Sequence, residues 1–126
     1  MMALDLSMKE ALASRADAVA LACMDTRSGL VLGIQVRGDV PPDDVEVAAL
    51  SAAQLCSAPR LEATPDDAEE PCEEAFVASS RWVHAYARVP ERRDLVVVGL
   101  APGDANIALL RAWIREVAER VGPQAT

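Results

Sequence analysis

The pattern of apolar and polar positions along the chain predicts three helices and five strands. A Ser-x-x-Glu capping box at Ser7 indicates that a first helix begins there and runs to about Ala16. Stretches that are apolar throughout, or that alternate between apolar and polar residues, predict strands at 18–24, 30–36, 75–79, 82–89 and 95–100. A second helix is predicted over 41–57, and Asp104 is expected to cap a last helix that ends at Val121.

These elements follow the order α-β-β-α-β-β-β-α in a single domain that spans residues 1–126. The strands at 18–24 and 95–100 are apolar at nearly every position, which indicates that both of their faces are covered. A hairpin turn that ends at Gly29 joins the first two strands. We therefore predict an α+β fold, an α/β sandwich in which one five-stranded antiparallel sheet carries helices on both faces.

The predicted helix at 41–57 is apolar on more than one side. Its broad stripe consists of Val45, Ala48, Ala49, Ala52, Leu55 and Cys56. Val47 and Leu50 fall on the opposite side, beside the polar Ser51 and Gln54. A helix that is apolar all round has a neighbour on each face. We expect the Ala-rich stripe to pack on the sheet and the Val47 side to need a partner.

Charge and cysteine content narrow the class of partner and the location. The formal net charge of -8 argues against nucleic acid and against an anionic membrane surface, because both favour basic proteins. No apolar run has the length of a membrane span, and the first residues lack the pattern of a signal peptide. Three cysteines, Cys23, Cys56 and Cys72, are an odd number, and reduced thiols in a cytoplasmic protein explain them most simply.

Residues that could carry chemistry are few. His84 is the only histidine, and no Asp, Ser or Cys lies at a telling spacing from it. Cys56 and Cys72 lack the CxxC spacing of a zinc site. Gly99 and Gly103 are not followed by the Lys-Ser/Thr pair of a phosphate-binding loop. We therefore predict no catalytic residue, no metal and no cofactor, and we do not expect an enzyme.

Residues 60–74 hold seven acidic residues and two prolines, which predicts a solvated loop that like charges keep extended. A basic partner or divalent cations are the alternative ligands, although the loop lacks the central glycine and alternating oxygen ligands of a calcium loop. The role of this acidic loop is left open by its composition.

One face of the strand at 82–89 carries the type of side chain that interaction hot spots favour. Its members are Trp82, His84, Tyr86 and Arg88. These four residues form a candidate partner surface, and the alternative is that the helices cover them as core and rim. Arg111 and Arg115, one turn apart on the last helix, could meet an acidic partner or only solvate its outer face.

Two stretches of the chain match short motifs of a known family. Residues 94–100 form an apolar strand, and 104–111 follow it with an Asp-Ala-Asn helix start and a Leu-Leu-Arg sequence. The first hairpin has Met24 and Asp25 before its turn and 28–32 after it, like an Asp-x-x-Gly hairpin. Together with the order of elements, these motifs resemble bacterial members of the Roadblock/LC7 (dynein light chain LC7-like) family over most of the chain.

The resemblance implies a non-enzymatic homodimer. In that family the helix after the second strand packs against its twofold mate, and the third strands pair into a continuous ten-stranded sheet. Carried over to this chain, the homodimer interface would comprise Val47, Leu50, Ser51, Gln54, Phe76, Val77 and Ser79.

Bacterial members of the family often pair with a Ras-like small GTPase, whereas eukaryotic members assemble dynein and lysosomal signalling complexes. The resemblance therefore implies an adaptor or regulator that binds a Ras-like small GTPase, or that scaffolds a signalling or motility complex. The alternative is a small acidic chaperone of the secretion type, which binds an extended client segment. The long acidic loop before the third strand departs from the family's pattern.

Overall fold

The computed structural model describes residues 2–57 and 73–124, which form three α-helices and five β-strands. The helices are α1 (Met2–Ala13), α2 (Pro42–Ser57) and α3 (Ile107–Val121), and a short 3₁₀ turn at Gly122–Gln124 follows α3. The strands are β1 (Ala20–Asp25), β2 (Val31–Val36), β3 (Glu74–Ala78), β4 (Trp82–Arg88) and β5 (Leu95–Pro102). The predicted order of elements is confirmed.

All five strands belong to one antiparallel sheet with the order β2-β1-β5-β4-β3. Helices α1 and α3 pack on one face and α2 packs on the other, so the predicted α+β fold is confirmed. The two strands predicted to be covered on both faces, β1 and β5, lie at the centre of the sheet and are buried along nearly their whole length. Gly29 in the β1–β2 turn has a φ of 76°, as the predicted hairpin requires.

Each face of the sheet has its own hydrophobic layer. The layer under α1 and α3 includes Leu4, Met8, Leu21, Val97, Leu110, Trp113 and Ile114. The layer under α2 includes Ala22, Met24, Val45, Ala49, Tyr86 and Val98. Strand β4 contributes Ala85 to the first layer and Tyr86 to the second, because successive side chains of a strand point to opposite faces.

Helix α3 lies very close to β5 because a glycine faces it. A Cβ atom added at Gly99 would lie 2.6 Å from Cζ3 of Trp113 and 3.2 Å from Cδ1 of Ile114. The Trp113 indole also donates a hydrogen bond from Nε1 to the carbonyl oxygen of Ala11, at 3.1 Å. The ring of Trp113 therefore fills the space over Gly99 and joins α3 to α1.

Arg37, just after β2, holds the segment that connects α1 to β1. Its Nη1 donates to the carbonyl oxygens of Arg15, Ala16 and Ala18 at 2.8–2.9 Å. Its Nη2 donates to the carbonyl oxygen of Leu12 at 2.7 Å. Leu12 lies in the last turn of α1, where backbone carbonyls have no partner within the helix. One guanidinium group therefore contacts four backbone acceptors, of which Leu12 and Arg15 also accept from backbone nitrogens at 3.3 Å.

Two of the predicted helix starts are wrong. Helix α1 begins at Met2 and ends at Ala13, so Ser7 lies buried inside it instead of capping it. The residues before Ser7 contain no glycine or proline that would stop a helix, and Leu4 is fully buried. In α3 the cap is Asn106 instead of Asp104, because Asn106 Oδ1 accepts a hydrogen bond from the backbone nitrogen of Leu109 at 3.1 Å.

Most of the predicted acidic loop, and with it Cys72, lies outside the described residues. The end of that prediction is wrong, because Glu74 is the first residue of β3 rather than part of a loop. The side chain of Cys56 is also outside the described part. Cys23 is buried, and burial raises the pKa of its thiol to about 11, which keeps it neutral at pH 7.

Candidate functional site

The outer face of α2 carries exposed apolar side chains. Val47 is 62% exposed and Leu50 is 42% exposed, whereas Ala49 on the other side is fully buried against the sheet. Gln54 is also exposed. The Ser51 hydroxyl donates to the Val47 carbonyl oxygen at 2.9 Å, so its polar hydrogen is satisfied within the helix. Among the described side chains of α2, the Ala-rich side is therefore buried and the apolar outer side is solvated in the single chain. The side chains of Ala52, Leu55 and Cys56, which belong to the predicted stripe, lie outside the described part.

Strand β3 forms an edge of the sheet that is open among the described residues. It pairs with β4 on one side, and the helices of the described ranges pack chiefly over the other four strands. Phe76 contacts the hydrophobic layer under α1 and α3, and Ala75 contacts the layer under α2. Val77 is 42% exposed and Ser79 is also exposed. An exposed edge of this type, uncharged from Ala75 to Ala78, readily accepts a further strand.

A cleft of about 650 Å³ opens between the start of α2 and strand β4. Val47, Trp82 and Leu100 form part of its apolar lining. Its charged lining is contributed by Asp39, Asp44 and Arg81, and His84 also faces it. The Arg81 guanidinium lies 5.5 Å from the centre of the Trp82 ring, in a cation–π contact. The cleft thus joins the outer face of α2 to the exposed end of β4.

Only half of the predicted partner surface is accessible. Trp82 and His84 are partly exposed at the cleft, but Tyr86 is 2% exposed and Arg88 is 8% exposed, so these two cannot present their side chains to a partner. Tyr86 lies in the layer under α2, and Arg88 Nη1 donates to the carbonyl oxygen of Arg93 at 2.6 Å. Burial lowers the pKa of His84, which favours its neutral form.

Solved structures of other proteins share this arrangement of helices and strands, and three of them serve as examples. A Roadblock/LC7 domain from Streptomyces avermitilis superposes with a TM-score of 0.75 at 17% identity, over 95% of each chain. The chain has the Roadblock/LC7 fold. The gliding protein MglB from Thermus thermophilus gives a TM-score of 0.76 at 17% identity, covering 97% of this chain and 90% of that one. MglB in a tetrameric arrangement gives 0.74 at 18% identity, over 99% and 90%.

The TM-scores establish a shared fold, and identities of 17–18% show nothing about a shared role. No protein-family model matches the sequence, and no curated protein matches it either. In the shared fold, α2 follows the second strand and β3 lies at an edge of the sheet, as the sequence resemblance implied. The assignment of individual residues to an interface remains a prediction.

In this Roadblock/LC7 fold a pair of arginines anchors the edge strand, which the sequence did not reveal. Glu74, at the start of β3, accepts hydrogen bonds from Arg115 at 2.9 and 3.2 Å, and Arg111 Nη2 lies 2.5 Å from its carboxylate. Burial alone would raise the pKa of Glu74, but the two guanidinium groups outweigh it and hold that pKa below its ordinary value. Arg111 and Arg115 were candidates for an acidic partner, and the structure gives them one within the chain.

A neighbouring ion pair joins Glu73 to Arg93, so both described acids of the predicted loop bind arginines. The i, i+4 spacing of Arg111 and Arg115 was visible in the sequence, but their common acid lies about 40 residues away. The result is an edge strand whose first residues are fixed by charge and whose last residues are open.

Within 2–57 and 73–124, no three His, Cys, Asp or Glu side chains are grouped as a metal site requires. The Tyr86 hydroxyl lies 3.3 Å from Nδ1 of His84. The described residues offer an apolar helix face, an open strand edge, and a cleft between the start of α2 and the exposed end of β4.

Proposed function

We propose that this chain is a non-enzymatic homodimeric adaptor that binds a Ras-like small GTPase or scaffolds a signalling or motility complex. The observation that carries the proposal is the combination of the exposed apolar face of α2 with the open edge of β3 in one Roadblock/LC7 fold. A second copy that pairs along β3 would continue the sheet. Its α2 would then lie beside this α2, over the strands that this chain's own α2 leaves uncovered.

The physical gain from such a dimer comes from apolar burial and from strand pairing. Complete burial of a side chain such as Val47, Leu50 or Val77 contributes about 1.5–3 kcal/mol, and these three are partly solvated in the single chain. The open backbone groups of β3 would gain hydrogen-bonding partners without any charged side chain between Ala75 and Ala78 to oppose the approach.

The same fold supports the proposed partner, and the cysteine content supports the proposed location. One structure of similar fold is described as a gliding protein, which supports a role in a motility or signalling assembly. The adaptor would act by surface complementarity, favouring one of two states of the GTPase switch regions. In the part of the chain that is described, no helix has the length and apolar character to cross a membrane. We propose a cytoplasmic location from the odd cysteine count.

Replacing Leu50 with glutamate is expected to dissociate the homodimer, because a charge at the seam between the two α2 helices would lose its hydration. Sedimentation equilibrium at micromolar concentration should show wild type as a dimer. Leu50→Glu should raise the Kd of the dimer at least about tenfold, which corresponds to about 1.4 kcal/mol.

Leu6→Glu is the matched control for the dimer experiment. Leu6 is 58% exposed on α1, on the other face of the sheet, so the same change of charge should leave the Kd unaltered. Thermal unfolding by circular dichroism checks that both variants are folded. A monomeric wild type would contradict the homodimer, and an intact Leu50→Glu dimer would place the interface elsewhere.

A Ras-like small GTPase encoded beside this chain is expected to bind it, with an affinity that differs between the GDP and GTP-analogue states. Trp82→Ala should weaken that binding at least about tenfold while leaving the dimer intact, since aromatic side chains often dominate contact energies. Isothermal titration calorimetry with each nucleotide measures this. Leu109→Ala is the control, because Leu109 is exposed on α3, away from the cleft.

The GTPase experiment also separates the two functions that the sequence left open. Binding to no Ras-like protein would count against the GTPase partner. Co-purification of a secreted client, held through an extended segment, would favour the alternative of a small acidic secretion-type chaperone.

A further inference from the structure

The two edges of the sheet differ in how well they could accept another strand. At one edge, β2 is covered by α1 on one face and α2 on the other, and its pairing with β1 shifts register at Cys23 and Met24. Such irregularities twist an edge and oppose further pairing. At the other edge, β3 is regular, uncharged from Ala75 to Ala78, and open among the described residues. The geometry favours β3 as the edge that pairs.

The register of β3 against β4 determines which of its backbone groups point outward. Ser79 donates its N–H to Trp82, and Arg88 donates its N–H to Glu73, each at 2.8 Å. Hydrogen-bonded pairs alternate along an antiparallel ladder, so the odd-numbered residues of β3 bond to β4. The residues whose N–H and C=O groups point to the open edge are Glu74, Phe76 and Ala78.

From this alternation we propose that the second copy pairs along β3 in one register, with Phe76 opposite the partner's Phe76 on the twofold axis. The inference rests on the proposed homodimer. Two identical strands related by a twofold axis pair antiparallel, and outward groups must meet outward groups. In this register, called the centred register below, Glu74 lies opposite the partner's Ala78 and Ala78 lies opposite the partner's Glu74. The outward residues of the two copies therefore form three opposed pairs. Each pair exchanges two hydrogen bonds, which gives six in all.

The neighbouring registers form fewer bonds within the strand. Centring the axis on Ala75 or on Val77 leaves two pairs of outward residues, and therefore four hydrogen bonds, within 74–78. Centring it on Glu74 would place two carboxylates directly opposite each other, and like charges in that position are destabilising. Backbone pairing alone thus favours the register centred on Phe76.

The side chains of β3 agree with the same register. Phe76 pairs with Ala85 and points to the face of α1 and α3, so two Phe76 rings would meet on that face. Ala75 and Val77 point to the α2 face, where each Val77 would lie opposite a small Ala75 of the other copy. Registers centred on either residue would instead oppose two valines or two alanines. A valine opposite an alanine fills the layer on the α2 face more evenly than two opposed valines or two opposed alanines would.

Glu74 would act as a positioning residue for this pairing. Its carboxylate is held by Arg111 and Arg115 of the same chain, which fixes the first residue of β3 against α3. In the centred register it faces the partner's Ala78, which has no charge to oppose it. The strand is thereby ordered before a partner arrives, and ordering a contact in advance lowers the entropy cost of association.

Disulfide formation between single cysteines tests the register. Full-length chains carry Cys56→Ser and Cys72→Ser, and they keep Cys23 because its thiol is buried with a pKa raised to about 11. Ala75→Cys, Phe76→Cys and Val77→Cys are then introduced one at a time. Directly opposed residues have Cα atoms about 4.5–5.5 Å apart, within disulfide reach, whereas diagonal positions are about 7–8 Å apart.

Under mild oxidation, Phe76→Cys should cross-link with itself at least about tenfold faster than Ala75→Cys or Val77→Cys does. A mixture of the Ala75→Cys and Val77→Cys chains should cross-link to each other, because those positions face one another in the centred register. Non-reducing electrophoresis measures the rates, and sedimentation of the parent chain establishes the dimer separately.

Each other outcome overturns the inference in a recognisable way. Self-cross-linking that is fastest at Val77→Cys or at Ala75→Cys shows a shifted register. A sedimenting dimer that cross-links at none of the three positions places the seam away from β3 while the homodimer stands. A parent chain that sediments as a monomer at every concentration rejects the proposed homodimer itself.

Discussion

Replacing Gly99 with alanine is expected to destabilise the fold by about 2–4 kcal/mol. The added methyl group would lie 2.6 Å from the Trp113 ring, so the ring or the helix that carries it must move. Overpacking a core costs about 1–3 kcal/mol, and displacing the indole also loses its hydrogen bond to Ala11, worth about 1 kcal/mol. The midpoint of urea unfolding, followed by tryptophan fluorescence, measures the change.

Gly33→Ala is the matched control for that experiment. Gly33 faces α1 in the same layer, but its nearest neighbour is the Met8 sulfur at 3.0 Å, and a methionine side chain adjusts more easily than an indole. The loss there should stay below about 1 kcal/mol. In a Trp113→Leu background, Gly99→Ala should cost far less than it does alone. Equal losses in both backgrounds would contradict the role given to the ring.

The sequence was sufficient to predict the layers of the fold. The unbroken apolar runs of β1 and β5 placed both strands at the centre of the sheet, since only a strand covered on both faces remains apolar throughout. The Ala-rich stripe of α2 likewise predicted the face that packs on the sheet, where Val45, Ala48 and Ala49 are buried. These predictions succeeded because they depend on many residues, and no single local preference decides them.

The predicted helix starts failed for the opposite reason. A capping box at Ser7 is worth about 1 kcal/mol, which burial of Leu4 on an earlier turn of α1 outweighs. For α3 the sequence predicted Asp104 as the cap, two residues before the observed cap, Asn106. The turn that follows β5 continues to Asn106, so the helix begins later. Local motifs indicate that a helix is present more reliably than they indicate its first residue.

The candidate site was only partly predictable, because coverage depends on where α2 crosses the sheet. Alternation along β4 correctly placed Trp82 and Tyr86 on one face. It could not show that α2 buries the Tyr86 end of the strand and leaves the Trp82 end open at the cleft. The ion pairs of Glu74 could not be predicted either. They join residues about 40 positions apart, and the spacing of residues along the sequence does not indicate contacts over such a separation.

Arg37→Met is expected to destabilise the chain by about 2–4 kcal/mol, although no pattern in the sequence distinguishes this arginine. Methionine keeps most of the side-chain volume but removes every donor, so the carbonyl groups of Leu12, Arg15, Ala16 and Ala18 lose the guanidinium. Hydrogen bonds to charged groups contribute about 1.5–3 kcal/mol each, and water replaces part of that loss at this half-buried site. Urea unfolding of wild type and variant measures the difference.

A comparison of arginine with lysine at position 37 separates the effect of the charge from the effect of the guanidinium geometry. Arg37→Lys keeps the charge but concentrates its donors on one nitrogen, which cannot reach four separated carbonyls as a planar guanidinium does, so rescue should be partial. Arg27→Met in the exposed β1–β2 turn is the control and should change stability by less than about 0.5 kcal/mol. If the Arg37→Lys variant kept full stability, charge near the last turn of α1 would be sufficient. Intermediate stability, with faster amide exchange confined to the 12–19 segment, would show that the fork geometry of Arg37 joins α1 to the sheet.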